Sequence, residues 1–306
     1  MAIRFDDQVV IVTGSGNGLG RSHALEFARR GARVVVNDLG TARDGSGASS
    51  DAANEVVRQI LEEGGEAVAN GANVAEYSQV EAMVAEAVNR WGRVDVLVNN
   101  AGILRDKTFA KMALEDFQLV MNVHLTGSVN CTKAVWEGMG ERKYGRIVMT
   151  SSSSGIYGNF GQTNYGAAKM ALVGFMNSLA LEGEKYGIRV NALAPIAATR
   201  MTEDLMQADV LALLEPEAVT PAVIFLGSEG APNRQILAAG AGVYARVVIQ
   251  ETPGVFLAPD RRDVEHIASA WEQIADTAGQ RELAAGSEQT VKFLQKAAAE
   301  LGIELK

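Results

Sequence analysis

A serine, a tyrosine and a lysine occur within one short stretch of the sequence and could together move a proton. Tyr165 and Lys169 are four residues apart, so a helix would place both side chains on one face. Ser152 precedes the tyrosine by thirteen residues and follows the apolar run RIVMT. Removing hydride from a secondary alcohol requires a base for the hydroxyl proton, yet a free phenol has a pKa of about 10. An ammonium beside the phenol favours the phenolate, which makes Tyr165 a candidate general base.

Each of these residues also has an ordinary structural interpretation. A tyrosine and a lysine four apart are frequent on any helix, and consecutive serines after a strand are frequent in loops. Ser151 and Ser153 therefore remain alternatives to Ser152. We expect His124 to be a packed side chain, and we expect Tyr157 to line a substrate pocket rather than to react.

These residues need a scaffold, and the sequence alternates short apolar runs with amphipathic helical stretches. The strand-like runs begin near Val9, Arg33, Glu66, Val94, Arg146 and Ile188. Helical patterns lie between or beside them, at 20–30, 50–63, 77–91, 114–139 and 165–186. Because the runs do not alternate apolar with polar residues, we expect strands that are buried on both faces and joined by right-handed crossovers. The sequence therefore predicts an α/β fold with a doubly wound parallel sheet.

Two segments fall outside this alternation. Residues 39–50, LGTARDGSGASS, form a glycine- and serine-rich loop that is longer than the usual connection of about two to six residues. From Thr252 onward, a linker and two further helical patterns follow the last strand-like run. We predict one α/β domain over 1–251 and a helical C-terminal extension over 252–306 that packs on it. A boundary nearer Gly242 is also compatible with the pattern.

Composition restricts the classes of partner. The chain has 306 residues, 47% of them hydrophobic, which is enough for one large core with a small appendage. Its net charge is −9 and it has no block of lysine and arginine, so nucleic acid is not an expected partner. Cys131 is the only cysteine, and the three histidines are far apart in the sequence. These facts argue against a disulfide and against a metal site.

The ends of the chain and its apolar stretches bear on location. The opening residues MAIRFDDQVVIVTG enter a strand at once and do not resemble a targeting leader. The longest weakly polar stretch, Ile236 to Ala245, is shorter than the roughly 20 apolar residues that span a bilayer. The final residues ELK are not the Ser-Lys-Leu signal for peroxisomal import. We expect a cytoplasmic protein that does not bind membranes.

Three glycines, Gly14, Gly18 and Gly20, mark the turn from the first strand into the first helix. Glycines let a backbone approach a pyrophosphate, and the N–H groups at a helix N-terminus attract anions, although such a turn can also be a simple tight connection. Asp38 ends the second strand, where a carboxylate can accept hydrogen bonds from ribose hydroxyls and repel a 2′-phosphate. Asp38 could instead be an ordinary turn residue, and Arg43 could approach such a phosphate. Together with the glycines, Asp38 favours NAD over NADP.

The spacing TGxxxGxG at 13–20, with NNAG at 99–102, resembles the short-chain dehydrogenase/reductase family, which has a Rossmann-type fold. The resemblance selects Ser152 among the serines and implies a catalytic set of Asn122, Ser152, Tyr165 and Lys169. Ser152 would hydrogen-bond the substrate oxygen, and Asn122 would hold a water that links Lys169 to solvent. The NAD-binding residues that it implies are Gly14, Asn17, Gly18, Leu19, Gly20, Asp38, Asn73, Val74, Asn100, Ala101, Gly102, Tyr165, Lys169, Pro195 and Thr199.

The sequence departs from the family pattern at two of these places. The family usually has aspartate where this chain has Asn73, but either side chain offers an acceptor oxygen to the adenine amino group. After the sixth strand the family usually has Pro-Gly, whereas this chain has Pro195 followed by Ile196. Thr199, expected to contact the nicotinamide carboxamide, comes one residue early.

Within the family, stretches such as NNAGILRD and KYGRIVMTSSSSGIYGNFGQTNYGAAK look most like the (3R)-hydroxyacyl-CoA dehydrogenase branch of peroxisomal multifunctional enzymes type 2. That resemblance implies NAD-dependent oxidation of an acyl-CoA or steroid alcohol by a homodimer or homotetramer. Candidate contacts for CoA phosphates are Arg105, Lys107 and Arg200. A steroid groove could use Ile156, Tyr157, Phe160 and residues 201–214. A reductase of acyl-carrier-protein substrates and a catalytically silent NAD-binding scaffold remain alternatives.

Overall fold

The computed structural model describes residues 2–47, 49–197 and 213–305, and its centre is one eight-stranded sheet. In chain order the strands are β1 (Val9–Thr13), β2 (Arg33–Asn37), β3 (Glu66–Asn70), β4 (Val96–Asn99), β5 (Gly145–Thr150), β6 (Ile188–Pro195), β7 (Ile236–Gly240) and β8 (Val243–Val247). Their order across the sheet is β3-β2-β1-β4-β5-β6-β7-β8. The strands β1 to β7 are parallel, and this confirms the predicted doubly wound α/β fold.

A crevice in which a ligand can bind lies at the carboxyl end of β1, because β1 pairs with β2 on one side and with β4 on the other. β1 lies between β2 and β4, so the crossovers on its two sides lead to opposite faces of the sheet. At such a switch point the loops after the two strands diverge and leave a crevice at the carboxyl ends. The glycine-rich turn after β1 and the NNAG residues after β4 therefore face each other.

Hydrophobic side chains fill both faces of the sheet, as the apolar runs predict. Val10 and Val12 of β1 belong to one buried cluster, whereas Val9 and Ile11 belong to the cluster on the other face. Phe27 packs edge-to-face against Phe5 with ring centroids 4.8 Å apart. A parallel strand covered by helices on both sides has no solvent face, which explains the absence of alternation.

In the described part of the first unit the helices are α1 (Gly18–Arg29), α2 (Asp51–Glu62), α3 (Tyr77–Trp91), α4 (Leu114–Met121), α5 (Gly127–Glu141), α6 (Ser153–Tyr157), α7 (Thr163–Gly183) and α8 (Thr220–Gly227). The single helix predicted over 114–139 is divided: a π-helical turn, Asn122–Thr126, separates α4 from α5. At the other edge of the sheet, β8 runs antiparallel to β7, and the sequence pattern had not identified β7 as a strand.

The chain divides into two compact units, Met1–Val247 and Val248–Lys306. The predicted boundary after residue 251 falls four residues beyond this division. The second unit contains α9 (Val264–Ser269), α10 (Trp271–Ile274) and α11 (Gly286–Leu301). Within it, the Lys292 ammonium contacts the Glu251 carboxylate, and the Thr252 hydroxyl donates to the Ile274 carbonyl at 2.7 Å. The packing of this extension on the first unit stays a prediction.

Candidate active site

The turn between β1 and α1 can exist only with glycine at certain positions. Gly14 has a φ of +63° and Gly18 a φ of +52°, values that favour glycine. A Cβ on Gly14 would lie 2.8 Å from the Ala101 Cα, and one on Gly20 would lie 2.2 Å from the Gly14 carbonyl oxygen. The backbone of the turn therefore packs directly against the backbone that follows β4.

The N-terminus of α1 opens into the same region. Asn17 is its N-cap residue, but its side chain makes no capping hydrogen bond, and the first turn carries no acidic residue. The N–H groups at the start of a helix have no partner within the helix and create a partial positive charge. This helix start is therefore suited to a phosphate group.

Asn100 fastens the glycine-rich turn to the end of β4. Its Nδ2 donates to the carbonyl oxygens of Thr13 and Gly14, both at 2.9 Å. The Thr13 hydroxyl in turn accepts from the backbone N–H groups of Asn100 and Ala101, each at 3.0 Å. The Asn100 side chain thus maintains the turn.

Asp38 lies at the end of β2, and both of its carboxylate oxygens have backbone donors. The Gly16 N–H donates to Oδ2 and the Gly40 N–H donates to Oδ1, each at 2.7 Å. These bonds orient the carboxylate between the glycine-rich turn and the long loop. Each oxygen retains further acceptor capacity for a ribose hydroxyl.

Asn73 and Val74 form the wall after β3. The Asn73 Oδ1 accepts from the Ala75 N–H at 3.0 Å, so the oxygen considered for the adenine amino group also stabilises a local turn. Val74 is buried, and its carbonyl accepts from the Asn130 side chain at 2.9 Å.

Tyr165 and Lys169 lie one turn apart on α7, as their spacing predicts. The Lys169 Nζ donates to the Thr150 carbonyl at 2.6 Å and lies 5.5 Å from the centroid of the Tyr165 ring. Ser152 is 8% exposed, and its Oγ accepts from the Ser154 N–H at the start of α6. β5 and α7 therefore bring the hydroxyl, the phenol and the ammonium together.

Burial dominates the electrostatics of this group. It lowers the pKa of the Lys169 ammonium from 10.5 to about 7. It also raises the pKa of the Tyr165 phenol, while a hydrogen bond with Ser152 acts in the opposite direction. Desolvation disfavours the charged forms of both groups, and the lowering of the phenol pKa by Lys169 together with an oxidised nicotinamide stays a prediction.

The neighbouring serines have different environments. The Ser151 hydroxyl is fully buried and donates to the Lys169 carbonyl at 2.8 Å, so it links β5 to α7. Ser153 is exposed in the first turn of α6. Of the three serines considered, Ser152 is the one that shares a hydrogen bond with Tyr165.

His124 is a packed side chain, as expected, and it packs against the proposed base. It is 1% exposed, its ring meets the Tyr165 ring edge-to-face at 5.3 Å, and its Nε2 lies 3.1 Å from the Ile103 backbone nitrogen. Burial and the charge on Lys169 lower the pKa of the imidazole to about 3. Asn122, two residues earlier on the π-helical turn, accepts from the Gln118 side chain at 2.7 Å.

Most of the predicted cofactor residues line one cavity of about 300 Å³. They are Gly14, Asn17, Gly18, Leu19, Gly20, Asp38, Asn73, Val74, Asn100, Ala101, Gly102, Tyr165, Lys169 and Pro195. Sequence reasoning missed Thr150 and His124, which also line it, because a strand-end threonine and a helix histidine carry no distinctive pattern. Thr199, Arg200 and most of the 201–214 segment lie outside the described residues.

The candidates for substrate contacts are dispersed. Tyr157 is 74% exposed and Phe160 is 90% exposed, and neither lines the cavity. The Arg105 guanidinium forms an ion pair with Asp116 and is therefore already engaged. Lys107 is exposed beside the loop between α6 and α7, and its N–H donates to the Gly161 carbonyl in that loop.

Comparison with known proteins identifies the class. The family model for short chain dehydrogenases matches residues 8–209, and the chain belongs to that family. It is accordingly an oxidoreductase that binds a nicotinamide cofactor. A Mycobacterium tuberculosis protein named as a short-chain type dehydrogenase/reductase is 49% identical over 275 residues, which are 89% of this chain and 96% of that protein.

Within the family, the chain is similar to peroxisomal multifunctional enzyme type 2. The Drosophila melanogaster enzyme is 43% identical over 297 residues, and this chain spans 49% of its length. Its solved structure has a TM-score of 0.81, with 36% identity over 96% of this chain and 50% of that one. A solved 7α-hydroxysteroid dehydrogenase with NADH and 7-oxo glycochenodeoxycholic acid has a TM-score of 0.71 and 29% identity, covering 78% of this chain and 95% of that one.

Among the described residues, the helices are all too short or too polar to cross a bilayer. In the same part of the chain, no three histidine, cysteine, aspartate or glutamate side chains are grouped in a way that could hold a metal ion.

Proposed function

We propose that this protein oxidises the secondary alcohol of a (3R)-hydroxyacyl-CoA to a ketone, with NAD as hydride acceptor. The observation that carries the proposal is the position of Tyr165 and Lys169 in the same cavity as the glycine-rich turn and Asp38. Proton-transfer groups and dinucleotide-binding features thus share one cleft. The similarity to peroxisomal multifunctional enzyme type 2 supports the substrate class.

The residues of the cleft fit a dinucleotide. Gly14 and Gly20 have no Cβ, and a Cβ at either position would collide with neighbouring backbone, so the backbone of the turn stays accessible to a ligand. The start of α1 also lacks a side-chain cap. Asp38 supports NAD because its carboxylate can bind ribose hydroxyls but would repel a 2′-phosphate. When bound, the oxidised nicotinamide would supply a hydride acceptor and a positive charge in the cleft.

The side chains of this protein would carry out the proton transfer and stabilise the charges that it creates. Tyr165 would take the proton of the substrate hydroxyl while the carbon that bears this hydroxyl gives its hydride to the cofactor. Ser152 would donate a hydrogen bond to the substrate oxygen. Lys169 holds its ammonium close to the phenol ring and stabilises the phenolate while that charge exists. Asn122 would pass protons between Lys169 and solvent through a water.

Because the pKa of Tyr165 is raised, the phenol can act as a base only if positive charge and hydrogen bonds in the cleft stabilise its anion. A phenol is protonated near neutral pH at its ordinary pKa of about 10, and burial moves the pKa of Tyr165 further upward. Lowering a pKa by three units corresponds to about 4 kcal/mol of preference for the anion. In this chain the hydrogen bond with Ser152 acts toward the anion, and we expect the Lys169 ammonium together with an oxidised nicotinamide to supply the rest of the preference.

The first experiment tests the chemistry. We expect NADH to form, measured by absorbance, when the protein is mixed with NAD and a (3R)-hydroxyacyl-CoA. Tyr165→Phe should lower kcat by about a hundredfold or more, the usual size of a general-base contribution. Tyr77→Phe, which removes a hydroxyl from the start of α3, is the matched control. Full activity in Tyr165→Phe would contradict the mechanism, and NADH binding without turnover would favour a silent scaffold.

The second experiment tests the cofactor and the substrate. We expect a higher kcat/KM with NAD than with NADP, and a smaller ratio in Asp38→Asn. A preference of the wild type for NADPH would favour a reductase of acyl-carrier-protein substrates instead. A free steroid alcohol is the alternative substrate, supported by the structural similarity to a 7α-hydroxysteroid dehydrogenase. To distinguish the two, we would rank straight-chain acyl-CoA, steroid-CoA and free steroid alcohols by kcat/KM.

Assembly and location follow the family resemblance as further expectations. We propose a homodimer or homotetramer that pairs through α5 and α7, to be measured by light scattering after gel filtration. The cytoplasmic location stays a prediction, since the Drosophila relative is named a peroxisomal enzyme.

A further inference from the structure

The long loop after β2 has no role in the function proposed above, yet it forms part of the cleft. Thr41, Ala42, Arg43 and Gly45 line the same cavity as Asp38 and the glycine-rich turn. We call residues 39–47 and 49–50 the flap. A connection of this length is usually functional when it is well ordered and lies at a binding site.

The flap is held in shape by its own hydrogen bonds. The Asp44 carboxylate accepts from the Ser46 N–H at 3.0 Å and from the Ser46 hydroxyl at 2.6 Å. The Ala42 N–H donates to the Ser46 carbonyl at 2.8 Å, and the Gly40 N–H is bound by Asp38. These turns direct the backbone carbonyls of residues 43 and 44 toward the chain that follows β4.

Arg105 fastens the flap from that side. Its Nε donates to the Asp44 carbonyl at 2.6 Å, and one of its terminal nitrogens donates to the Asp116 carboxylate of α4 at 3.0 Å. The neighbouring Leu104 N–H donates to the Arg43 carbonyl at 3.0 Å. The planar guanidinium can bind a carbonyl and a carboxylate at once, which a lysine ammonium cannot do with the same fixed geometry.

The same short segment also reaches the helix that carries the phenol. The Arg105 carbonyl accepts from the fully buried Asn164 side chain at 3.0 Å, and Asn164 immediately precedes Tyr165. Ile103, two residues before Arg105, packs beneath the flap, where a Cβ on Gly45 would lie 3.2 Å from its Cδ1. Arg105 therefore lies between the flap, α4 and the start of α7.

We propose that Arg105 is a positioning residue that latches the flap over the cofactor cleft and thereby slows the release of the bound dinucleotide. The proposal rests on the proposed function insofar as the cleft must bind a nicotinamide dinucleotide. It assigns Arg105 to cofactor retention instead of the CoA-phosphate contact considered from the sequence. Loop closure of this kind often sets the rate at which a dehydrogenase exchanges its cofactor.

The central measurement is the rate of NADH release, followed by fluorescence in a stopped-flow instrument with no alcohol substrate present. Arg105→Met should raise the dissociation rate about threefold to tenfold, as expected for one partly exposed charge-assisted hydrogen bond. Arg58→Met is the matched control, because it removes the same charge and breaks ion pairs with Glu55 and Glu62 on the exposed face of α2. Its dissociation rate should equal that of the wild type.

A second readout observes the flap itself in the cofactor-free protein. Hydrogen exchange at the Leu104 amide and tryptic cleavage after Arg43 should both be faster in Arg105→Met than in Arg58→Met. If Arg105→Met does not fold, Arg105→Lys serves the same purpose, since it keeps the charge but not the double contact. Gly45→Ala changes the flap itself and not its contact with Arg105. Gly45 has a φ of +87°, and the added methyl group would press on Ile103. This substitution should accelerate NADH release as well.

The possible outcomes separate the latch from the proposed function. Equal NADH dissociation rates in Arg105→Met and the wild type would overturn the latch and leave the proposed function intact. A raised KM for the acyl-CoA with unchanged NADH release would also overturn it and restore the CoA-phosphate role. A wild type that binds neither NADH nor NADPH would overturn both proposals.

Discussion

The buried ammonium of Lys169 should make the stability of this protein depend on pH within a definite window. Lys169 is 3% exposed, and burial lowers its pKa from 10.5 to about 7. In the unfolded chain the pKa returns to about 10.4. Below pH 7 both states bind the proton, and the fold bears the whole cost of burying the charge. Between about pH 7 and 10.4 the unfolded chain binds more protons, so the free energy of unfolding rises with pH.

Lys169→Met removes this dependence, and the size of the effect follows from proton linkage. A pKa that is about 7 in the fold and about 10.4 in the unfolded chain gives a slope of roughly 1.4 kcal/mol per pH unit in the middle of the window. Integrated from pH 7 to pH 9, the wild type should gain about 2 kcal/mol on the variant. The difference at a single pH is less informative, because the variant also leaves the Thr150 carbonyl without its donor.

Urea denaturation of the cofactor-free protein at pH 7, 8 and 9, at one ionic strength, measures the change. Lys133→Met removes a lysine from an exposed position of α5 and controls for the general effect of losing a positive charge. A difference between the wild type and Lys169→Met that stays constant over this range would refute the argument. It would mean that the ammonium is solvated in the folded protein.

Four further substitutions, one of them with a matched control, test individual contacts. Gly20→Ala should abolish NADH binding in a fluorescence titration, because its Cβ would lie 2.2 Å from a carbonyl of the turn, whereas Gly174→Ala, with nothing within 4 Å, should not. Asn100→Ala should lower the free energy of unfolding by about 1–3 kcal/mol and weaken NADH binding together, since its amide holds the turn. Ser151→Ala should reduce stability in a thermal melt, while Ser152→Ala should reduce kcat about a hundredfold; the reverse assignment would show that the wrong serine was chosen.

The fold was largely predictable because its signals are local. Buried parallel strands produce uninterrupted apolar runs, and the helix limits Tyr77 and Trp91 coincide with the predicted ones. The strand β7 was missed because its sequence, ILAAG, is short and rich in small residues. The π-helical turn at Asn122–Thr126 was missed for a different reason: its sequence has no residue that requires the extra backbone residue, and packing against neighbouring elements decides it.

The candidate site was also predictable only in part. Glycine spacing, the carboxylate of Asp38 and the four-residue interval between Tyr165 and Lys169 are properties of the chain that any reader of the sequence can find. The contacts of Arg105 with the flap and with Asp116 join segments 61 and 11 residues away, and no local pattern reports such distances. His124 became part of the cleft wall for the same reason.

The sequence by itself determined which residues could form a doubly wound sheet, bind a dinucleotide and transfer a proton, because side-chain periodicity and residue type act over a few neighbouring positions. The tertiary structure alone decided how those groups are charged and held. Desolvation of Lys169 and Tyr165 depends on every element packed around them, and the flap contacts a guanidinium from the segment that follows β4.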